Sequence, residues 1–360
     1  MAKISKTTLI IIISIILIVS AFAGGFLASQ ATAGTANKNT VTVQDSADRY
    51  VEVPYPVESI VVLWDNPTEV VAALGAVDRI VGIDTATKDD VDAGLYPALT
   101  NVEVIGSYDE PNYEKIAELN PDVVIMLSSY APLPDEVASQ LEPFGIAVVA
   151  LDFYRTDVYF REVTTLGFML GLDDKATQYT NFLKDTTDMV NEKLSTLSDS
   201  ERKTVYFEGA ADYGTYGGAG YGCGIPGMII AGGGVDLYPE IIAESFEVDP
   251  EDVAMRNPDV IMKGQSAGYF LTDDTQFKEV YNTIVNRPEL AGTTAVKNGD
   301  VYVVSFDVTG GARKIFGPMY IAKTLYPELF ADFNPDVVLQ EYLENYLGRD
   351  WQGVYLYTAS

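Results

Sequence analysis

Two stretches decide the fold. Tyr113-Glu-Lys-Ile-Ala-Glu-Leu-Asn-Pro-Asp-Val-Val-Ile-Met126 and Pro250-Glu-Asp-Val-Ala-Met-Arg-Asn-Pro-Asp-Val-Ile-Met-Lys263 share one pattern. Each reads as a short amphipathic helix, then Asn-Pro-Asp, then a strand. Proline stops the helix, and the β-branched run after it suits a parallel strand covered on both faces. One unit recurring at distant places predicts two lobes of similar α/β construction.

The same alternation extends outward from both copies. In the first lobe Ser59–Leu63, Arg79–Ile83 and Ile146–Leu151 read as strands, and Pro67–Leu74 and Leu133–Phe144 as helices closed by Gly75 and Gly145. Helix, glycine and strand in this order belong to a doubly wound sheet. Phe160–Leu170 reads as a helix ending at Gly171, followed by a long one from Asp173 or Asp174 to about Leu197. Its apolar positions, Ala176, Tyr179, Leu183, Met189/Val190, Leu194 and Leu197, fall near helical spacing. The second lobe opens with the strand Thr204–Phe207, a Gly/Tyr-rich loop from Gly209 to Gly227 and, later, the strand Asp300–Ser305. Its tail, Ile315–Leu347, reads as mostly helical with interruptions at Pro327 and Pro335. The expected architecture is two doubly wound α/β lobes (residues 41–155 and 203–360) joined by a helical connector (156–202) with one long interdomain helix.

Composition narrows the chemistry. The 360 residues include 23 Lys+Arg, 52 Asp+Glu, one Cys and no His, for a formal charge of −29. Without His there is no Ser-His-Asp triad and no His-assisted thiol, and the usual Cys/His zinc site is excluded. The single Cys excludes an internal disulfide framework. The acidic balance argues against nucleic acid. Lys3 and Lys6 precede an uncharged stretch from Thr7 to Asn37 whose centre, Leu9–Val19, is almost entirely Ile and Leu. This reads as an export signal, with Ala31-Thr32-Ala33 as a cleavage site, or as an uncut anchor over residues 7–28. Residues 1–40 therefore place the body outside the cytoplasm. They hold three Lys and no acid, so the remainder carries 20 basic and 52 acidic residues, a net −32.

Beyond the repeat, Ala73-Leu-Gly-Ala-Val-Asp-Arg-Ile-Val-Gly82, Ala231-Gly-Gly, Ala295-Val-Lys-Asn-Gly-Asp-Val-Tyr-Val303 and Ala322-Lys-Thr-Leu-Tyr-Pro-Glu328 follow in order. With them the chain resembles the iron-siderophore and cobalamin family of ABC-transporter substrate-binding proteins (class III, cluster A-II) over nearly all of residues 41–349. The resemblance implies no catalysis and no cofactor. It implies a monomer that holds a small-molecule metal chelate between its lobes and docks on a membrane permease with a cytoplasmic ATPase. An iron(III) siderophore leads as ligand and cobalamin or another corrinoid follows. A chelatase-like enzyme, or a surface sensor that never docks, remains an alternative on the same fold. Family members place one acid on each lobe for the permease, and the matching positions are Glu114 and Glu251. Each opens a short helix, where a carboxylate is also favoured by the helix dipole alone.

Open α/β sheets bind ligands at the carboxyl ends of their strands. The loops expected there supply Trp64, Tyr108, Tyr130, Tyr154 and Arg155 in the first lobe. In the second they supply Tyr213, Tyr216, Lys263 and Arg313, with Tyr221, Tyr269 and the Asp307–Arg313 loop nearby. Aromatic rings suit a flat or apolar ligand. Arg155, Lys263 and Arg313 stand out because basic residues are scarce, and they give either a cationic cleft for an anionic ligand or ordinary ion pairs. The 23 Tyr either include a phenolate ligand for Fe(III) or fill the core and cleft walls. Cys223 reads as a small buried residue. Gly222-Cys-Gly-Ile-Pro-Gly227 matches a dinucleotide fingerprint in letters only, since no strand directly precedes it.

Overall fold

The computed structural model describes residues 39–128, 132–217, 224–265 and 268–359. The export segment, Tyr130, Tyr221 and Cys223 lie outside the described residues.

A hairpin of β1 (Thr40–Gln44) and β2 (Tyr50–Pro54) leads in. Its turn is organised by buried Asp45, which accepts from the amides of Ala47, Arg49 and Ala150 and from the Arg49 guanidinium.

Then β3 (Ile60–Leu63), α1 (Asp65–Ala73), β4 (Ile80–Ile83), α2 (Thr85–Asp92), β5 (Glu103–Val104), α3 (Tyr113–Leu119), β6 (Val123–Met126), α4 (Pro134–Leu141) and β7 (Ala147–Ala150) alternate. They build an all-parallel sheet of order β5-β4-β3-β6-β7. Every residue of β3 and β6 is buried, as covering on both faces requires.

Two helices follow, α5 (Tyr159–Leu170) and α6 (Asp173–Leu194). Gly171 turns between them in the left-handed region at φ 65°. A Cβ on Gly167 would lie 2.3 Å from that of Ala176, so only glycine permits this approach of the two helices. α6 has 22 residues and buries Ala176, Tyr179, Leu183, Val190 and Leu194 along one face. At 1.5 Å per residue it spans about 33 Å. It stops at Leu194, short of the expected Leu197, because the Ser195 and Thr196 hydroxyls take up the carbonyls of Glu192 and Lys193 at its end.

The second half holds β8 (Thr204–Glu208), β9 (Gly214–Tyr216), α7 (Ile225–Ala231), β10 (Val235–Asp236), β11 (Ser245–Glu247), α8 (Pro250–Arg256) and β12 (Val260–Gln265). After these come α9 (Thr275–Val285), α10 (Thr294–Asn298), β13 (Val301–Ser305), α11 (Phe306–Thr309), α12 (Gly317–Leu325), α13 (Pro335–Asn345) and β14 (Leu356–Tyr357). The sheet order is β10-β8-β12-β13-β14, parallel except for β14. Pro335 does not interrupt a helix but starts α13, where its missing N–H costs nothing.

The inner faces of both sheets share one apolar core. Ile60, Val62 and Val149 of the first belong to the same cluster as Val205, Phe207 and Val304 of the second, through Tyr179 and Leu183 of α6. An aromatic column crosses this junction. The hydroxyls of Tyr159 and Tyr179 lie 2.7 Å apart, and Tyr179 stacks on Tyr342 at 5.9 Å. Tyr342 in turn contacts Phe316 at 4.9 Å. Opening the lobes widely would expose this core to water, so the junction favours small movements.

The repeat is also structural. α3 and α8 end in Asn120 and Asn257, both left-handed at φ 47° and 51°. Asp122 then accepts from the amides of Glu58 and Ser59 just before β3, and Asp259 from the Thr204 amide that opens β8.

Candidate functional site

At the carboxyl ends of β3 and β13 a pocket of about 390 Å³ opens between the two halves. Asp65, Asp90 and Leu95 form one wall, and Tyr269, Phe306, Asp307 and Arg313 the other. A larger groove of about 890 Å³ lies along β2, β7 and α4, on the edge of the first sheet and away from the strand ends where such sheets bind ligands.

Trp64 leaves β3 with φ 134°, a strained backbone for a side-chain-bearing residue, and its ring meets Tyr108 edge-on at 4.2 Å. The strained corner turns the next residue, Asp65, into the pocket. Burial, then the neighbouring carboxylates of Asp90, Glu69 and Asp84, push the Asp65 carboxyl up to about 7. Burial and Glu69 push Asp90 up to about 6, against the opposing pull of Arg313 and Arg349. Arg313 crosses the junction. Its Nε lies 3.2 Å from Glu69 Oε2, and its Nη1 lies 3.2 Å from Asp307 Oδ1. Asp307 is fixed by the amides of Gly268 and Tyr269, each at 2.7 Å.

The three cations expected in a cationic cleft all have carboxylate partners among the described residues. Lys263 is buried, with its Nζ 2.7 Å from Glu208 Oε1 and further bonded to the carbonyls of Ala210 and Ala211. Glu208 also takes both terminal nitrogens of Arg287, at 2.7 and 3.1 Å. Arg155 pairs with Asp157 at 3.0 Å and lies 4.0 Å from Asp152. Each of the three cations singled out by scarcity is therefore matched by the protein's own carboxylates, and of them only Arg313 lines the pocket.

The aromatic candidates divide. Trp64 and Tyr108 stand together at the strand ends of the first sheet. Tyr154 is buried under Lys314, whose Nζ lies 5.1 Å from the ring centre, so it packs between the halves. Tyr213 lies over Arg287 and donates to Glu289 at 2.8 Å, and Tyr216 packs on Phe207. Burial followed by the Glu289 hydrogen bond pushes the Tyr213 phenol up to about 12, which disfavours a phenolate there. Tyr159, Tyr179, Tyr206, Tyr320 and Tyr342 are fully buried and belong to the interior.

Glu114 and Glu251 occupy the second position of α3 and α8. Both are exposed. The helices are capped by Asn112, which accepts from Lys115 N, and Asp249, which accepts from Glu251 N.

Three site residues escaped the sequence reading. Asp90 sits on α2, whose one local signal is Asp84 capping the amide of Thr87. Glu69 sits mid-helix in α1, and Asp65 directly follows Trp64 at the start of the same helix. A carboxylate directly after a buried strand was the signal that could have found Asp65.

Two α/β halves with a pocket between them at the carboxyl ends of their strands have the architecture in which open sheets hold a ligand. The sequence from residue 60 to 308 matches the periplasmic binding protein family, and the chain belongs to it. It is 26% identical over 299 residues to an uncharacterized ABC transporter substrate-binding lipoprotein, YvrC of Bacillus subtilis, covering 81% of this chain and 87% of that protein. It is likewise 26% identical over 336 residues to the molybdate-binding protein MolA of Haemophilus influenzae, covering 84% and 90%. The crystal structure of the TroA-like periplasmic binding protein FepB from Veillonella parvula superposes with a TM-score of 0.76 at 22% identity, covering 89% of this chain and all of that one. The protein is thus an ABC-transporter substrate-binding protein with a transport role rather than an enzymatic one. Its partners are a small-molecule ligand and a permease with its ATPase. Its relatives are periplasmic proteins or lipoproteins, which agrees with an extracytoplasmic body. No helix among the described residues is long and apolar enough to cross a membrane.

Proposed function

We propose that the protein captures an iron(III)-siderophore-type chelate of neutral or positive charge between its lobes and delivers it to the permease. One observation carries this reading: the pocket sets aromatic faces, Tyr269, Phe270 and Phe306, beside three aspartates and a single arginine that is already paired. Aromatic walls suit the organic periphery of a chelate. With no His and one Cys, the chain is poorly supplied with ligands for a bare transition metal, so the cargo brings its own coordination. Molybdate, which the Haemophilus relative binds, would gain little from charge here, since Arg155, Lys263 and Arg313 each lie beside a carboxylate of the chain.

Trp64 supplies the test. The chain has two Trp, so Trp351→Phe leaves Trp64 as the sole indole reporter. Titration with ferrioxamine B, a cationic ferric trihydroxamate, should quench its fluorescence saturably, and calorimetry should give the same affinity. Binding of cyanocobalamin in its place would move the assignment to a corrinoid. Binding of molybdate alone would overturn the chelate reading.

A further inference from the structure

Glu69 stands behind the pocket rather than in its lining, and it gathers three donors. Arg313 Nε reaches its Oε2 at 3.2 Å, Tyr96 OH reaches the same oxygen at 3.4 Å, and Tyr342 OH reaches Oε1 at 2.8 Å. Glu69 is 4% exposed. It lies on α1 of the first half, whereas Arg313 and Tyr342 belong to the second.

We propose that Glu69 is a specificity-determining residue: with Asp307 it holds Arg313 as a neutralised guanidinium at the pocket wall, so that the pocket turns away anions and accepts a ligand of neutral or positive charge. The proposal takes the interlobe pocket as the ligand site, as in the function proposed above. The geometry is that of a clamp. One carboxylate grips the Nε side of the guanidinium from the first half, and the other lies against Nη1 from the second. Two carboxylates at 3.2 Å offset the charge of the guanidinium, so the clamp removes its net attraction for an anion, while Nη1, which has no hydrogen-bond partner, keeps a donor for a neutral oxygen of a ligand. Asp65 and Asp90 add two further carboxyl groups to the wall and no cation, although with Asp65 pushed up to about 7 and Asp90 to about 6 they carry only part of their charge near neutral pH. A desolvated pair inside a pocket acts strongly on ligand charge because screening by water is weak there.

A purely structural role makes a different prediction. Glu69 also ties the halves together, so its loss could lower stability without touching selectivity. Glu69→Gln keeps the side chain's shape and its acceptor for Tyr342 while removing the charge. Binding of molybdate and of ferric dicitrate, both anionic, and of ferrioxamine B is measured on the full-length wild type and variant, with the melting temperature of each. The expected result is a gain of about tenfold or more for the anionic probes and a loss of similar size for the cationic one. Parallel changes for both charges, or no change beyond the melting temperature, overturn the proposal. Should Glu69→Gln fail to fold, Asp307→Asn at the other end of the clamp carries the same expectation and the same refutation. If the wild type binds no ferric chelate, the chelate reading falls. A molybdate affinity that rises in the variant would still support Glu69 in its role.

Discussion

Lys263 and Glu208 show what a scarce charge does when the chain surrounds it with partners. Glu208 is fully buried and meets two cations, Lys263 at 2.7 Å and Arg287 through both terminal nitrogens, while Asp212 takes a further bond from Arg287. Truncating Glu208 to Ala would leave Lys263 and Arg287 sharing only the more exposed Asp212 as a carboxylate partner, and breaking such a buried pair costs about 3–5 kcal/mol. Lys263→Met removes one cation and leaves Glu208 held by Arg287, so the expected loss is smaller, about 1–3 kcal/mol. Urea unfolding of both variants should rank them in that order. Lys263→Met should also leave ligand affinity unchanged. A large loss of affinity at unchanged stability would instead return Lys263 to the ligand. The sequence marked Lys263 through rarity and through an expected place at a strand end, but β12 runs on to Gln265 and Lys263 lies inside it. Its partners were not legible, because Arg287 follows a helix of the second lobe and Glu208 ends a different strand. Only the adjacency of β8 and β12 in the sheet brings Lys263 and Glu208 together. Asp65 illustrates the reverse: its position was legible, but its importance comes from Asp90 and Glu69, which sequence distance hides.

Helices α3 and α8, with their strands, were the most legible elements because everything that shapes them is local. Cap, apolar face, left-handed Asn and Pro follow one another within fourteen residues in each copy, with an acid next that reaches back to the neighbouring strand of the sheet. Asn is among the few side chains that tolerate the left-handed region, since its amide offers local hydrogen bonds. Asn257 also accepts from the Thr294 amide at 2.7 Å and donates to its hydroxyl at 2.8 Å, which ties α8 to α10. Asn257→Gly should therefore keep the turn but lose the tie, for a cost near 1 kcal/mol. Asn257→Val adds a β-branched side chain at φ 51° and should cost roughly 1–2 kcal/mol more. Thermal melts of the two variants test this, and equal losses would show that the backbone conformation is not what selects Asn. α2 was not anticipated, for the opposite reason. Its eight residues include Lys88 and five acidic or hydroxyl-bearing residues, and only Val91 and Thr87 are buried, so no apolar stripe announces a helix. What holds it is the Asp84 cap and its place beside α1, both consequences of the sheet.

The two halves are built alike, share one core through α6, and present Glu114 and Glu251 at equivalent positions on equivalent helices. Neither carboxylate is needed to cap its helix, since Asn112 and Asp249 do that. Both are exposed, so each can meet an external cation without first breaking an internal pair. A rigid junction fixes the spacing between them, and a fixed pair of like charges on one molecule matches a partner with two basic positions at the same spacing. Opposite charges placed this way steer encounter and set orientation more than they add raw affinity. Reversing one charge should therefore slow docking, and reversing both should abolish productive docking while leaving the ligand pocket intact. The expected outcome for Glu114→Arg with Glu251→Arg is ligand affinity within about twofold of the wild type, and transport into vesicles carrying the permease and its ATPase reduced by more than about tenfold. Each single reversal should fall between, with a steeper salt dependence of docking in the wild type than in the double variant. Transport that survives the double reversal would show that the permease reads another surface. Loss of ligand binding in the same variant would show that the two helices serve the pocket instead.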